Sequence, residues 1–299
     1  MPSKVYGIIS GPVSVFDERD RIDEQAIRQQ IDFLIGGGVH LLLAGTIVAE
    51  FPSLSFDERK LLVDIIVDQV RRRVPVYAAT GGSDYRQALE LIKHAEDAGA
   101  DGMFLIPPYL YSLTNAEMFD YTKALCLATK LPVMLYNIAS NNITPAMYKQ
   151  LSEEAGNIDS IKESNQGQLA DVAKAVGDHI AVLTGKEPYL VETLSVGGHG
   201  CASVLSALTP KLVVEVYDAF RRGDTGQAAA LQAKLTPIAN FILSGGISAP
   251  LKAGLTILGM NVGHVRKPRL PLSEAQVRVL ESMLLDLEVI GPKQAAVTS

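Results

Sequence analysis

The chain is poor in cysteine and contains no tryptophan. Its two cysteines, Cys126 and Cys201, are far apart among 299 residues, and no histidine stands at a metal-binding spacing from either. The sequence therefore predicts neither a disulfide framework nor a zinc site. It also lacks a carboxylate cluster suited to Mg²⁺, so we expect no bound metal.

Long apolar runs and blocks of positive charge are missing as well. No stretch of roughly 18 apolar residues occurs, and the segment starting at Met1 lacks the apolar core of a signal peptide. The net charge is −6 and the isoelectric point is about 5.4. The densest cationic cluster, Arg71–Arg73, has the pattern of a solvated helix end. We therefore expect a cytoplasmic protein that binds neither nucleic acid nor membrane.

Short β-rich runs alternate with longer segments of helical period. Strands are predicted at 5–10, 39–44, 74–79, 102–106, 133–136, 158–161, 180–183 and 200–204, and helices near 24–36, 56–71, 84–98, 115–129, 145–154, 166–176, 187–196 and 210–222. Eight strand–helix repeats in roughly 220 residues favour a closed (β/α)₈ barrel. A doubly wound sheet would instead show a glycine-rich phosphate loop after its first strand, where Gly11-Pro12-Val13-Ser14 stands here.

The strand pattern stops at Gly223. Helices are predicted at 225–242, 247–258 and 273–288, and the tail after Gly291 has a disordered composition. The predicted organisation is a barrel over residues 1–223 and a helical C-terminal domain over residues 224–299.

Barrel enzymes place their chemistry at the carboxyl ends of the strands. That rule selects Ser10, Pro12, Thr46, Thr80, Gly81, Pro107, Tyr109, Tyr136, Asn137, Lys162, Gly185, Lys186, Ala202 and Ser203. The set contains no histidine. Glu163 and Glu187 stand nearby, but without a visible partner each is predicted to be solvated.

Lysine, tyrosine and small hydroxyl residues suit imine chemistry. Lys162 directly follows a predicted strand, where a partly desolvated amine can lose its proton and attack a carbonyl carbon. Tyr136 stands at the end of the preceding strand, from which its hydroxyl could shuttle protons. Lys186 is the rival nucleophile, although its surroundings, Gly185-Lys186-Glu187-Pro188, have the pattern of an exposed turn.

Several segments carry a family resemblance in order and spacing. They are the Schiff-base lysine segment 161–164 (Ile-Lys-Glu-Ser), the Leu-Tyr-Asn motif at 135–137, the glycine-rich segment 197–203, the segment 50–55 (Glu-Phe-Pro-Ser-Leu-Ser), and the C-terminal segments 250–252 and 266–272. Together they resemble the dihydrodipicolinate synthase / N-acetylneuraminate lyase family nearly end to end. The resemblance implies a barrel with a helical C-terminal domain, usually a homotetramer. It also implies class I aldolase or lyase chemistry on pyruvate or another 2-oxo acid, without metal or organic cofactor.

The same resemblance assigns Lys162 as the Schiff-base nucleophile, Tyr136 as the proton relay and Ala202 as a backbone contributor to the substrate site. Two family positions depart from the pattern. Thr46 keeps one of two expected hydroxyls for the substrate carboxylate, or Ile47 and Val48 occupy both hydroxyl positions, depending on the alignment. Either alignment predicts an altered carboxylate site with Thr46 and Val48 as its candidates.

Asn141 stands where dihydrodipicolinate synthase has an arginine for its second substrate. A neutral amide does not replace a bidentate charged fork. Leu110 stands where a neighbouring subunit contributes a relay tyrosine, which leaves Tyr109 or Tyr111 as possible substitutes.

Three functional hypotheses follow. The first is a Schiff-base lyase or aldolase on a 2-oxo acid, working as a homodimer or homotetramer. The second is dihydrodipicolinate synthase itself, and the third is a non-catalytic binding or regulatory relic of the fold.

Overall fold

Eight parallel strands close into a barrel in chain order, and the last strand pairs with the first. The computed structural model describes residues 5–138 and 140–291. The strands are β1 (Gly7–Ser10), β2 (Leu41–Ala44), β3 (Val76–Gly81), β4 (Gly102–Ile106), β5 (Val133–Asn137), β6 (Ile158–Glu163), β7 (Ala181–Thr184) and β8 (Gly200–Ala202). The predicted (β/α)₈ barrel is confirmed. The tail predicted to be disordered lies outside the described residues.

A helix follows each strand. The eight barrel helices are α1 (Glu24–Gly36), α2 (Phe56–Val70), α3 (Tyr85–Ala98), α4 (Asn115–Leu127), α5 (Pro145–Glu154), α6 (Leu169–Val176), α7 (Leu190–Ser195) and α8 (Pro210–Arg221). Sequence signals fix several of their starts. Ser55 and Thr114 form capping boxes with Glu58 and Glu117, in which each side chain satisfies a backbone N–H of the helix start.

β6 is longer than the sequence predicts, because it continues through Lys162 and Glu163 to pair with β5. The prediction that Lys162 follows the strand is therefore wrong. The apolar run ends at Ile161, and only the pairing with Tyr136 and Asn137 of the neighbouring strand shows that the extended backbone persists. That pairing joins residues distant in sequence, which local periodicity cannot reveal.

The apolar core has two parts. One cluster, which includes Ile9, Leu43, Phe104, Met134 and Leu183, fills the barrel interior, and a larger cluster lies between the strands and the helices. A polar group interrupts the interior. The Tyr77 hydroxyl donates to the buried Asp159 carboxylate, and Ser160 Oγ donates to Asp159 Oδ1 at 2.7 Å. These hydrogen bonds satisfy a carboxylate that would otherwise be costly to bury.

Up to residue 291, three helices follow the barrel: α9 (Thr225–Ser244), α10 (Ser248–Ile257) and α11 (Glu274–Asp286). They form the predicted helical extension. Helix α9 packs along α8, and α10 packs against α11. The division of the chain at residue 223 falls in the turn between α8 and α9 and stays a prediction. In the part of the chain described, no helix is both long and apolar enough to span a membrane.

Candidate active site

Lys162 and Tyr136 lie side by side at the carboxyl end of the barrel. They are register partners on β6 and β5, so both side chains leave the sheet on the same face. Lys162 Nζ lies 4.7 Å from the centroid of the Tyr136 ring and 5.8 Å from that of Phe104. The two rings stack with centroids 5.1 Å apart. The lysine amine thus rests on an aromatic wall at the mouth of the barrel.

The Lys162 side chain is buried. Only 6% of the residue is exposed, and no described residue forms a hydrogen bond or ion pair with its amine. Gly185, just beyond β7, leaves room for it, since a Cβ there would stand 2.9 Å from Lys162 Cε. The site therefore holds a desolvated amine that no carboxylate of the described residues neutralises.

Glu163 is fully buried, which contradicts its predicted solvated position. Its carboxylate accepts hydrogen bonds from Asn137 Nδ2 at 2.9 and 3.0 Å, from the Asn165 N–H at 2.6 Å and from Gln168 Nε2 at 2.9 Å. Burial raises the pKa of Glu163, and the hydrogen bonds from Gln168, Asn165 and Asn137 oppose that shift. Because Asn137 and Glu163 follow Tyr136 and Lys162 in the two strands, this network fixes the strand ends that carry the candidate catalytic pair.

Glu187 is also buried rather than solvated. Its Oε1 accepts hydrogen bonds from Ser203 Oγ and from the Leu205 N–H, both at 2.7 Å. These bonds tie the turn after β7 to the segment after β8. Lys186, the rival nucleophile, is half-buried and immediately precedes a short 3₁₀ turn. Its backbone N–H donates to Thr184 Oγ1 at 3.2 Å.

The turn after β2 carries the candidate carboxylate residues. Thr46 and Val48 are both buried, but Val48 packs into the outer core, whereas Ile47 packs against the interior cluster. The turn closes through hydrogen bonds from the Ala49 and Glu50 N–H groups to the Thr46 and Ile47 carbonyls. The backbone N–H groups of Ile47 and Val48 have no acceptor in the described ranges.

The structure places the remaining candidates in different settings. Ala202 belongs to the interior cluster beside the site. Asn141 instead braces the loop between β4 and α4. Its Nδ2 donates to the Pro108 and Tyr111 carbonyls at 2.6 and 3.0 Å, and its Oδ1 accepts from the Leu113 N–H at 2.8 Å. These bonds use both ends of the Asn141 amide, so it offers little to a substrate.

The braced loop carries the candidate relay tyrosines. Tyr109 packs edge-on against Phe51 with centroids 5.5 Å apart, and the Tyr111 hydroxyl donates to the Ser83 carbonyl at 2.9 Å. Leu110, which stands between them in the sequence, is 75% exposed. Across residues 5–138 and 140–291, no group of three or more His, Cys, Asp or Glu side chains could hold a metal ion.

Sequence reasoning missed Asn137, Glu163 and Glu187 as parts of the site architecture. Asn137 is selected as a strand-end residue and as the last residue of the Leu-Tyr-Asn motif, but no role is assigned to it from the sequence. The signal that could have found it is its position beside Glu163 in adjacent parallel strands, since polar residues at such strand ends meet.

A closed barrel with a buried lysine beside a tyrosine at its carboxyl end has the architecture of a (β/α)₈-barrel enzyme. The chain belongs to the dihydrodipicolinate synthetase family, whose sequence profile matches residues 4–286. This family comprises class I lyases and aldolases, and the match to it covers nearly the whole chain.

Several curated relatives are 4-hydroxy-tetrahydrodipicolinate synthases. The one designated 1 from Halalkalibacterium halodurans is 34% identical over 279 residues, which cover 92% of this chain and 94% of the relative. The Bacillus subtilis enzyme is 32% identical over 281 residues, covering 92% and 97% of the two chains. Among solved structures, YagE, a prophage protein of this family from E. coli K12 in complex with pyruvate, is 32% identical, with a TM-score of 0.91. The match covers 95% of this chain and 99% of YagE.

Proposed function

We propose that this protein is a Schiff-base-forming lyase or aldolase that acts on pyruvate or a related 2-oxo acid. The observation that carries the proposal is the Lys162–Tyr136 pair. The amine of Lys162 is buried, has no ionic partner among the described residues and lies 4.7 Å from the centroid of the Tyr136 ring. The chemistry of the family and the pyruvate bound to YagE support this substrate class.

In the proposed reaction, Lys162 Nζ attacks the C2 carbonyl carbon of the 2-oxo acid. The carbinolamine that forms loses water and leaves an iminium ion. This cation accepts electron density when a proton or a carbon substituent leaves C3, and it returns that density when a new C3 bond forms. Hydrolysis of the imine then releases the product and restores the amine.

Tyr136 is the proposed proton carrier. Its ring stacks on Phe104, and the register of β5 and β6 keeps it beside Lys162. A hydroxyl held near the nitrogen and C2 can take and return the protons of carbinolamine formation and dehydration. Changing Tyr136 to phenylalanine is therefore expected to slow imine formation by about 10²–10⁴-fold while the fold is retained.

The turn after β2 is the proposed carboxylate site. Its candidate donors are the Thr46 hydroxyl and the uncommitted N–H groups of Ile47 and Val48. Backbone N–H groups in a turn can bind an anion without side-chain hydroxyls. We infer that the backbone of Val48 contributes to binding, because its side chain packs in the outer core.

Dihydrodipicolinate synthase itself is the second candidate, favoured by relatives that bear this activity in their names at 32–34% identity. Asn141 is evidence against this activity. Its amide forms hydrogen bonds with the loop after β4 and carries no charge that could bind a second substrate. We therefore expect weak condensation of pyruvate with aspartate semialdehyde. Loss of one charged hydrogen bond alone would cost about 1.5–3 kcal/mol.

The test is reductive trapping. The protein is incubated with pyruvate and borohydride, and its intact mass is measured. We expect one reduced pyruvate per chain in the wild type and none in Lys162→Ala, while the matched control Lys186→Ala keeps the adduct. Folded wild-type protein that forms no adduct with pyruvate or with longer 2-oxo acids would support the non-catalytic relic instead.

A further inference from the structure

A buried ion pair joins the helical extension to the turn after β2. Lys252 lies on α10, and its Nζ is 2.7 Å from Glu50 Oε1, with only 4% and 1% of the two side chains exposed. The Lys252 ammonium also donates to the His264 carbonyl and rests 4.5 Å from the centroid of the Phe16 ring. Burial lowers the pKa of Lys252, and the Glu50 carboxylate opposes that shift.

Glu50 ends the turn that contains the candidate carboxylate site. It has a left-handed backbone conformation, with φ 54° and ψ 35°, which strains a non-glycine residue. Its second carboxylate oxygen accepts the Arg266 N–H at 3.1 Å. The helical extension thus contacts both carboxylate oxygens of Glu50, the last residue of the turn.

Further bonds hold the same turn from both sides. Ser248 Oγ, at the start of α10, donates to the Ile47 carbonyl at 3.4 Å, and Ser14 Oγ donates to the Ala49 carbonyl at 2.6 Å. The Arg266 guanidinium also donates two hydrogen bonds of 2.7 Å to the Glu58 carboxylate at the start of α2. The turn is therefore held between the barrel and the extension, while the N–H groups of Ile47 and Val48 have no acceptor among the residues that the structure describes.

Stability alone gives a poor account of this arrangement. Replacing a buried ion pair by apolar residues of similar volume is often neutral or stabilising, since desolvation cancels much of the attraction. A strained glutamate adds to the cost. What the pair does provide is one position for the turn, because Lys252 Nζ lies at ion-pair distance from Glu50 Oε1 and the Arg266 N–H donates a hydrogen bond to Glu50 Oε2.

We propose that Lys252 and Glu50 are positioning residues for substrate binding: through this ion pair, the helical extension fixes the turn whose backbone N–H groups receive the carboxylate of the 2-oxo acid. The inference rests on the proposed function and extends it to residues that touch no reacting atom. It predicts an effect on substrate affinity that is separable from the effect on the chemical step.

The test measures borohydride trapping of pyruvate on Lys162 as a function of pyruvate concentration. For Lys252→Met we expect the half-saturating concentration to rise about tenfold or more, since small misplacements of binding groups are costly. The maximal trapping rate should stay close to that of the wild type, because Lys162 and Tyr136 are untouched. The matched control is Lys123→Met, which breaks an exposed 2.6 Å pair with Glu154 and should change neither quantity.

Lys252→Met leaves Glu50 buried without its cation and can therefore unfold the protein. The neutral double variant Glu50→Gln/Lys252→Met avoids that charge and should show the same rise in half-saturating concentration, with circular dichroism confirming its fold. A folded variant with a lower melting temperature but an unchanged half-saturating concentration would mean a merely structural pair and overturn the inference. Wild-type protein that traps no 2-oxo acid would instead overturn the proposed function, and this inference with it.

Discussion

At the scale of single residues, the site depends on what surrounds Lys162 as much as on the lysine itself. The sequence alone makes Lys162 a candidate nucleophile, because a lysine near a strand end suits imine chemistry, and this assignment stays a prediction. The burial of Glu163 and Glu187 could not be predicted from the sequence. Their partners, Asn137, Gln168 and Ser203, lie on other elements, so only the folded chain shows that these buried carboxylates accept hydrogen bonds from protein groups.

Gly185 gives the most local prediction. A methyl group at this position would stand 2.9 Å from Lys162 Cε and 2.6 Å from Ser164 Oγ, so Gly185→Ala should displace the lysine from the Tyr136 ring. We expect the rate of pyruvate trapping to fall about 10²-fold while the protein stays folded. Gly156→Ala is the matched control, because nothing lies within 4 Å of the added carbon. Equal trapping rates in the two variants would refute this packing argument.

Glu163 gives a pH prediction. Burial raises its folded-state pKa above the ordinary 4.5, so the folded protein holds this proton more tightly than the unfolded chain does. The stability contribution of this group is therefore highest below pH 4.5 and falls as the pH rises through the folded-state pKa. Glu163→Gln removes this pH-dependent loss of stability. It also removes hydrogen-bond acceptor capacity, which should lower the free energy of unfolding by about 1–3 kcal/mol.

Urea unfolding between about pH 4.5 and pH 8 measures this difference. We expect the gap in unfolding free energy between wild type and Glu163→Gln to narrow as the pH rises. The exposed Glu153→Gln should leave the wild-type pH profile unchanged. A gap that widens with pH would show that the ionised form of Glu163 is favoured by folding, contrary to this account.

At the scale of elements, the order of strands and helices can be predicted from periodicity and capping residues. The positions at which strands end cannot be predicted in this way. The extension of β6 through Glu163 depends on pairing with β5, and β8 ends at Ala202, two residues before its predicted end. The sequence also left the alignment of the turn after β2 open. The structure shows Ile47 against the barrel interior and Val48 in the outer core, a distinction that two adjacent aliphatic residues cannot signal.

The loop between β4 and α4 carries the prediction at this scale. Asn141 holds the loop through three backbone hydrogen bonds, so Asn141→Ala should free it at a cost of about 1–3 kcal/mol. Hydrogen exchange should accelerate at the Leu113 N–H, which donates to Asn141. The exposed Asn115→Ala is the control. If Leu113 keeps its protection in Asn141→Ala, the amide does not brace the loop.

At the scale of the whole molecule, the barrel presents an exposed apolar group beside its mouth. Tyr109, Leu110 and Tyr111 are 38%, 75% and 55% exposed, and the polar groups of Asn141 fix the loop that carries them. Exposed apolar residues on a braced loop are typical of an interface. This surface supports the proposal that the protein is a homodimer or homotetramer, as the family resemblance implies.

Light scattering at micromolar concentration tests the assembly. We expect the mass of a dimer or a tetramer for the wild type and a smaller species for Leu110→Glu, because a buried unpaired charge opposes association. The control is Leu127→Glu, which changes an exposed leucine at the carboxyl end of α4. This variant should keep the wild-type mass. A wild-type monomer would contradict the proposed assembly.

The central claim is that Lys162 forms the Schiff base, and peptide mapping of the borohydride-trapped protein tests it most directly. After reduction in the presence of pyruvate, the protein is digested and the modified peptide is sequenced by tandem mass spectrometry. The account predicts a single modified lysine at position 162, flanked by Ile161 and Glu163. A modification on Lys186 or on any other lysine would contradict it.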